Sequence, residues 1–123
     1  MHHLAVKVGD LARAERFYVG TLNLPVERRW DDAHGRPRSI WVRLDARAFL
    51  AIERAEVDGV ARADDAPGFH CVALTIAPED RAAWRSHLAD AGFPAFSETA
   101  YTLYTRDPEG HVVALSHYPA PSP

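Results

Sequence analysis

The sequence predicts an α+β fold in which a strand–helix–three-strand unit occurs twice. The first observation is the alternation of apolar and polar residues over 3–8, which is typical of a strand with one face on a core. The second is the helical spacing of the apolar residues that follow. The third is the return of the whole pattern about 68 residues later, from Cys71 onward. One copy is too small to bury its own sheet face, so we expect the two copies to form one domain.

The first unit is predicted to end near residue 54. Asp10 is placed to cap a helix that starts at Leu11, and Pro25 prevents that helix from continuing. Either Phe17 or Tyr18 is expected to complete the apolar stripe of the helix. Three strands are predicted to follow, at 26–30, 39–44 and 48–54.

A polar linker is predicted at 55–67 and the second unit at about 68–118. Pro78 suits the first turn of the second helix, and Gly92 is expected to end it. Three more strands are predicted around Phe96, at 101–106 and at 111–118, with a tight turn at 107–110. Residues 119–123 are expected to be a disordered tail.

Composition and charge restrict the class of protein. The 123 residues are 47% hydrophobic and 25% charged, which is typical of a single soluble globular domain covering 1–123. The net charge of −3, without a basic cluster, argues against a nucleic-acid partner. No apolar run approaches the roughly 20 residues of a membrane span, and no signal peptide is recognised. The single cysteine, Cys71, fits a reducing compartment, so we expect a cytoplasmic protein.

Each predicted strand has a second face that the helices do not cover, and function is expected there. The helix-packed face is almost purely branched aliphatic. The other face carries small, polar or aromatic residues, namely His3, Ala5, Lys7, Phe49, Ala51, Glu53, Cys71, Ala73, Thr75, Ala114, Ser116 and Tyr118. Small residues leave room, and room lined with polar side chains predicts a cavity that binds a small molecule.

The sequence resembles the vicinal oxygen chelate superfamily, which includes glyoxalase I, the fosfomycin and bleomycin resistance proteins and the extradiol dioxygenases. The resemblance rests on residues 3–11, 17–18, 22, 71–76 and 107–111. It implies that the paired βαβββ units form a cupped mixed sheet, commonly completed by a homodimer. It also implies a divalent metal that chelates two adjacent oxygen atoms of a small-molecule substrate.

The resemblance also implies four positions for the metal ligands, a histidine and a carboxylate in each half. His3 matches the first position, while Ala51 stands near the second and Glu53 lies two residues further on the same face. Cys71 occupies the third position and Ala114 the fourth. A metal held by His3 and Glu53, with Cys71 or with His70 turned inward by a bulge, would be Zn, Fe, Mn or Ni, and Glu53 would be the catalytic proton acceptor.

Two functions are therefore open. One is a metal-dependent lyase, isomerase, transferase or dioxygenase with His3 and Glu53 at its centre. The other is a metal-free dimer that sequesters a small aromatic or anionic compound, because Ala51, Cys71 and Ala114 occupy ligand positions. In both, the substrate is expected to contact Lys7, Phe49, Cys71, Tyr104, Arg106 and Ser116.

Several other side chains are assigned less sharply. Cys71 is expected to be a small buried hydrophobic residue rather than a catalytic thiolate. Trp30 and Trp41 are expected either in the pocket or at a dimer contact. The remaining histidines are expected at the sheet ends on the helix side (His2 and His70) or in solvent (His34, His87 and His117).

Overall fold

A computed structural model describes residues 1–56, 59 and 63–123. The chain divides into two compact units, Met1–Val60 and Ala61–Pro123. Each unit contains one four-stranded mixed sheet and helical segments, which confirms the predicted α+β class. The packing of both copies as one domain over 1–123 stays a prediction. Among the described residues, no helix is long and apolar enough to cross a membrane.

The described part of unit 1 contains one helical stretch and four strands. Its elements are β1 (His3–Val8), α1 (Leu11–Glu15), a π-helical turn (Arg16–Thr21), β2 (Val26–Asp31), β3 (Pro37–Arg43) and β4 (Phe49–Arg54). The strand order is β1-β4-β3-β2. β1 pairs with β4 in parallel, and the other pairs are antiparallel.

Unit 2 repeats this topology. Its elements are β5 (Cys71–Thr75), a 3₁₀ turn (Pro78–Asp80), α2 (Arg81–Asp90), β6 (Ser97–Glu98), β7 (Thr102–Arg106) and β8 (Val112–Ser116). The strand order is β5-β8-β7-β6, with β5 and β8 parallel. The same order in both units confirms the predicted repeat.

The first helix begins as predicted and then widens. The Asp10 carboxylate accepts a hydrogen bond of 2.9 Å from the backbone N–H of Arg13, so Asp10 is the N-cap. Further on, the N–H of Leu22 donates to the carbonyl of Phe17 at 2.9 Å, which is the i to i+5 bond of a π-helix. The wider turn places both Phe17 and Tyr18 in the core, 0% and 1% exposed. The sequence predicted only one of them there, because an α-helix turns adjacent residues about 100° apart.

The helix-packed face of the first sheet forms the core of unit 1. Its buried side chains are Val8, Ile40, Val42, Leu50 and Ile52. These come from three strands and alternate with the residues of the opposite face, as the period of two predicted. The helix covers this face only, so no helix of the described residues of unit 1 lies on the opposite face, which we call the helix-free face.

Three details differ from the predictions. The strand expected around Phe96 is only Ser97–Glu98, and Phe96 itself is exposed. The solvent position expected for His117 is wrong, because His117 is buried and its Nδ1 lies 2.6 Å from the carbonyl oxygen of Ala120. The tail therefore begins with a hydrogen-bonded turn. Within the predicted linker, residues 57, 58 and 60–62 lie outside the described residues.

Candidate functional site

The strand register places the predicted site residues on the helix-free face of each sheet. In unit 1, His3 lies opposite Phe49, and Lys7 lies opposite Glu53. In unit 2, the corresponding predicted residues are Cys71, Tyr104, Arg106 and Ser116, which the register likewise puts on one face. Each unit therefore carries four of the predicted site residues on one face of its own sheet.

Five aromatic rings cross the helix-free face of unit 1. We call them the aromatic row: His2, His3, Phe49, Trp41 and Trp30. His3 stacks on Phe49 with ring centroids 4.9 Å apart, and Phe49 stacks on Trp41 at 4.4 Å. Trp41 contacts Trp30 at 5.3 Å, and the ring of His2 meets those of His3 and Phe49 edge-on. The row reaches from β1 to β2, so rings from all four strands present one continuous aromatic surface.

The sequence predicted part of this row. His3 and Phe49 were expected on this face, whereas Trp30 and Trp41 were left between a pocket and a dimer contact. The helix-side position expected for His2 is wrong, because His2 precedes the first residue of β1 and the strand alternation does not extend to it. The β-bulge in the pairing of β2 with β3 also shifts the alternation of side chains along β2. Counting residues along the strand therefore does not show on which face Trp30 lies.

A second line of side chains runs beside the aromatic row. We call it the polar row: Trp30, Ser39, Glu53 and Lys7, which are successive cross-strand neighbours from β2 to β1. Ser39 is 3% exposed, Glu53 is half-buried and Lys7 is exposed. Among the described residues, neither the Oγ of Ser39 nor the Nε1 of Trp30 has a hydrogen-bond partner, although both atoms are buried. Buried polar atoms are normally paired, so this row has an unused hydrogen-bonding capacity.

Unit 2 has the corresponding row, but its hydroxyl groups are paired. Thr102, Ser116 and Thr75 are cross-strand neighbours there, at the positions that Ser39, Glu53 and Lys7 hold in unit 1. The hydroxyl of Thr102 donates to the Oγ of Ser116 at 2.9 Å. The two helix-free faces therefore share a layout and differ in chemistry.

Small residues occupy the centre of both helix-free faces. Ala5 pairs with Ala51 in unit 1, and Ala73 pairs with Ala114 in unit 2. In unit 1 the alanine pair lies between the pair His3–Phe49 and the pair Lys7–Glu53. In unit 2 it lies between Cys71–Val112 and Thr75–Ser116. Ala51 and Ala114 are buried, whereas Ala5 and Ala73 are exposed, so the exposed alanine of each face lies on its edge strand, β1 or β5.

The charged groups of unit 2 are largely paired with each other. The Arg106 guanidinium binds the Asp64 carboxylate through two hydrogen bonds of 2.8 and 2.6 Å and lies 4.2 Å above the Phe96 ring. This contact lowers the pKa of Asp64 below its usual value. Burial raises the pKa of the Cys71 thiol, which keeps the thiol protonated near neutral pH and agrees with an inert cysteine. Tyr104 is half-buried, with its ring 6.2 Å from that of His70.

The two predicted metal ligands of unit 1 do not converge on one point. His3 and Glu53 pair with different partners four residues apart along β1, a separation of roughly 13 Å between their backbone positions. A metal ion needs donor atoms about 2 Å away. Within the part of the chain that the structure describes, no group of three or more His, Cys, Asp or Glu residues is placed to hold an ion. His3 and Glu53 therefore do not fit one shared ion within unit 1, and the divalent metal stays a prediction.

Solved structures similar to this one share its fold. A glyoxalase family protein from Enterococcus faecalis superposes with a TM-score of 0.76 at 18% identity, covering 95% of this chain and 96% of that one. Lactoylglutathione lyase from Agrobacterium tumefaciens gives 0.70 at 18% identity, with coverages of 96% and 92%. A fosfomycin resistance protein from Listeria monocytogenes gives 0.72 at 16% identity, with coverages of 95% and 89%. At these identities the likeness establishes the fold alone.

The family assignment rests on the sequence match over nearly the whole chain. No curated protein sequence matches the chain at a significant level. A family model, however, matches residues 1–115, and it agrees with the doubled topology described above. The chain belongs to the Glyoxalase/Bleomycin resistance protein/Dioxygenase superfamily.

Proposed function

We propose that this protein binds a small, flat molecule on the helix-free face of unit 1. The observation that carries the proposal is the aromatic row, in which rings from four strands lie within 5.6 Å of one another. A binding site for a planar ligand needs such ring faces, because offset stacking and edge contacts favour aromatic partners. The structure offers no comparable row among the described residues of unit 2.

The surroundings of the aromatic row also suit a small ligand. Trp41 and Trp30 are half-buried, so each keeps part of its ring available while its orientation is held by neighbouring rings. Ala5 is exposed on the same face, two residues along β1 from His3, so a flat molecule can lie beside the aromatic row at this edge. Rings that are already held in place lose little conformational entropy on binding, which favours affinity.

We expect toluene, as a minimal flat probe, to bind this face. The indole N–H signals of the three tryptophans report on the two units separately, because Trp30 and Trp41 lie in unit 1 and Trp84 lies in unit 2. A toluene titration followed by NMR should shift the signals of Trp30 and Trp41 and leave that of Trp84 in place. Trp41→Ala should weaken binding about tenfold, since a lost ring contact is worth roughly 1 to 1.5 kcal/mol.

Two control variants make the experiment specific. Trp41→Phe keeps a ring and should retain most of the affinity, while Trp84→Ala should bind as tightly as the unmodified protein. Equal shifts at all three tryptophans, or no shift at any concentration up to saturation, would contradict the proposal.

A metal-dependent enzyme is the second candidate, favoured by the position of His3 and Glu53 on one helix-free face. The separation of these two residues along β1 is the reason we rank it second. We expect elemental analysis of the purified protein to find well under one equivalent of divalent metal. One equivalent that is lost in His3→Ala and kept in His34→Ala, a change at an exposed loop histidine, would instead establish a metal site at His3 and reverse this ranking. The homodimer stays a prediction for this chain.

A further inference from the structure

We propose that residues 118–122 form an acid-sensitive latch on unit 2, which opens when the side chain of His117 takes up a proton. Two hydrogen bonds close the first turn of this latch. The backbone N–H of Ala120 donates to the carbonyl of His117 at 2.9 Å, and the Nδ1 of His117 lies 2.6 Å from the carbonyl oxygen of Ala120. The latch residues are themselves exposed, so the buried ring of His117 is the point at which they are fixed to the unit.

The hydrogen-bond partners of His117 determine where its ring carries a hydrogen. A carbonyl oxygen can only accept, so Nδ1 must carry the hydrogen that is donated to Ala120. A guanidinium group can only donate, and the Nη1 of Arg81 lies 3.0 Å from the Nε2 of His117, so Nε2 must accept. The ring is therefore neutral in the closed latch, with its one hydrogen on Nδ1.

A second proton on His117 is incompatible with these contacts. It would place an N–H group on Nε2 directly against the guanidinium of Arg81, so that two donors and two positive charges face each other. Both side chains are buried, 3% and 9% exposed, so water screens this repulsion only weakly. The charged ring can satisfy both of its N–H groups by turning out to solvent, which breaks the bond to Ala120 and opens the latch.

The groups around Arg81 keep it in place when His117 becomes charged. The Nη2 of Arg81 donates to the carbonyl of Thr99 at 2.8 Å and lies 3.4 Å from the Glu98 carboxylate. That carboxylate also accepts two hydrogen bonds from Arg85, at 2.7 and 3.0 Å, so it already has a cation of its own. The other side chains that face the His117 ring bear hydroxyl groups and no charge, namely Tyr101 and Ser122.

The direction of the pH effect follows from these contacts. The closed latch holds His117 with one ring hydrogen, whereas the open latch allows the ring to hold two. The open form therefore binds more protons, so a falling pH favours the open latch and a rising pH favours the closed one. Histidine is the side chain that ordinarily changes its charge between pH 5 and 8, so this is the range in which we expect the latch to respond.

The equivalent position of unit 1 carries an ion pair that does not change in this range. The strand registers put Arg54 at the position that corresponds to His117. The Nη2 of Arg54 binds the Asp32 carboxylate at 2.9 Å. The backbone N–H of Arg36, followed by the Arg54 guanidinium, lowers the pKa of Asp32 to about 2. Of these two equivalent positions, the one in unit 2 is the acid-sensitive one.

NMR on the whole protein tests the latch with two readouts. At pH 8, the ring nitrogen chemical shifts of His117 should show a hydrogen on Nδ1 and none on Nε2. The backbone order parameter of Ala120 should be about 0.85 at pH 8 and should fall below about 0.6 at pH 5. Leu103, which is 0% exposed in the core of unit 2, should stay ordered at both pH values.

Three variants make the test specific. His117→Asn cannot take up a proton, although its amide N–H can still donate to the carbonyl of Ala120, so Ala120 should have the same order at pH 8 and pH 5. Arg81→Met removes the opposing donor, so Ala120 should stay ordered at pH 5. His34→Asn, the matched change at an exposed histidine, should lose the order of Ala120 at pH 5 just as the unmodified protein does.

Four results would overturn the proposal. They are a hydrogen on Nε2 of His117 at pH 8, an Ala120 that stays ordered at pH 5 in the unmodified protein, and a loss of order at pH 5 that persists in both His117→Asn and Arg81→Met. The fourth is a loss of order at Leu103 together with Ala120, because the change at pH 5 would then be the unfolding of unit 2 and not the opening of a latch.

Discussion

Replacing Ile52 by alanine should destabilise unit 1 by about 4 kcal/mol. Ile52 is 0% exposed and lies in the middle of β4, between Val6 on β1 and Ile40 on β3. Truncating a buried isoleucine removes three carbon atoms from a packed core and leaves a cavity that the sheet cannot close. Domains are typically stable by about 5 to 15 kcal/mol, so this one change should remove a large part of the stability.

Urea denaturation followed by tryptophan fluorescence measures this loss, because two of the three tryptophans, Trp30 and Trp41, lie in unit 1. Ile52→Val should cost only about 1 kcal/mol, and Val26→Ala, at an exposed strand position, less than about 1 kcal/mol. A loss below 1 kcal/mol for Ile52→Ala would show that the helix-packed face is not the core of this unit.

Replacing Asp107 by alanine should destabilise unit 2 by about 3 kcal/mol. Asp107 is 3% exposed and opens the turn between β7 and β8. One carboxylate oxygen accepts from the backbone N–H groups of Glu109 and His111, both at 2.9 Å, and the other lies 2.8 Å from the Nδ1 of His111. Hydrogen bonds to a charged group contribute about 1.5 to 3 kcal/mol each and are not additive, and alanine would remove the acceptor that these half-buried donors share.

Asp107→Asn is the matched control. Its amide oxygen can still accept from the two backbone N–H groups, so the loss should be about half as large. Circular dichroism during urea denaturation follows both variants. Equal losses for the two substitutions would show that the negative charge contributes nothing, and no loss in either would refute the role of Asp107 in the turn.

Local patterns in the sequence predicted most of the fold. The alternation in β1 and β5 needs only the period of two along a strand, and the caps at Asp10 and Gly92 act within one helical turn. The turn that begins at Asp107 was recognised for the same reason. These signals involve residues close in sequence, so they can be read without knowing the packing.

The π-helical turn and the position of His117 were not predictable in this way. The wider turn that buries both Phe17 and Tyr18 depends on a core that accepts two adjacent rings. His117 is buried and contacts Arg81, a residue distant in sequence whose Nη1 lies 3.0 Å from the Nε2 of His117. Packing decided both features, and no local pattern marks them.

The candidate site shows the same division. The sequence placed His3, Lys7, Phe49 and Glu53 on one face, and the register agrees. It did not assign Trp41 or identify Ser39 at all. Serine in a strand is unremarkable as a residue type, and its importance comes from being buried without a partner.

The sequence by itself determined the repeated strand–helix–three-strand unit, the strands and which residues share a face, because periodicity is a property of neighbouring residues. Only the tertiary structure decided which residues of different strands meet. Pairing β3 with β4 puts Ser39 beside Glu53, and pairing β2 with β3 puts Trp30 on the other side. Strand register is set by contacts between distant segments, and shifting it by one residue would turn each of these side chains to the opposite face.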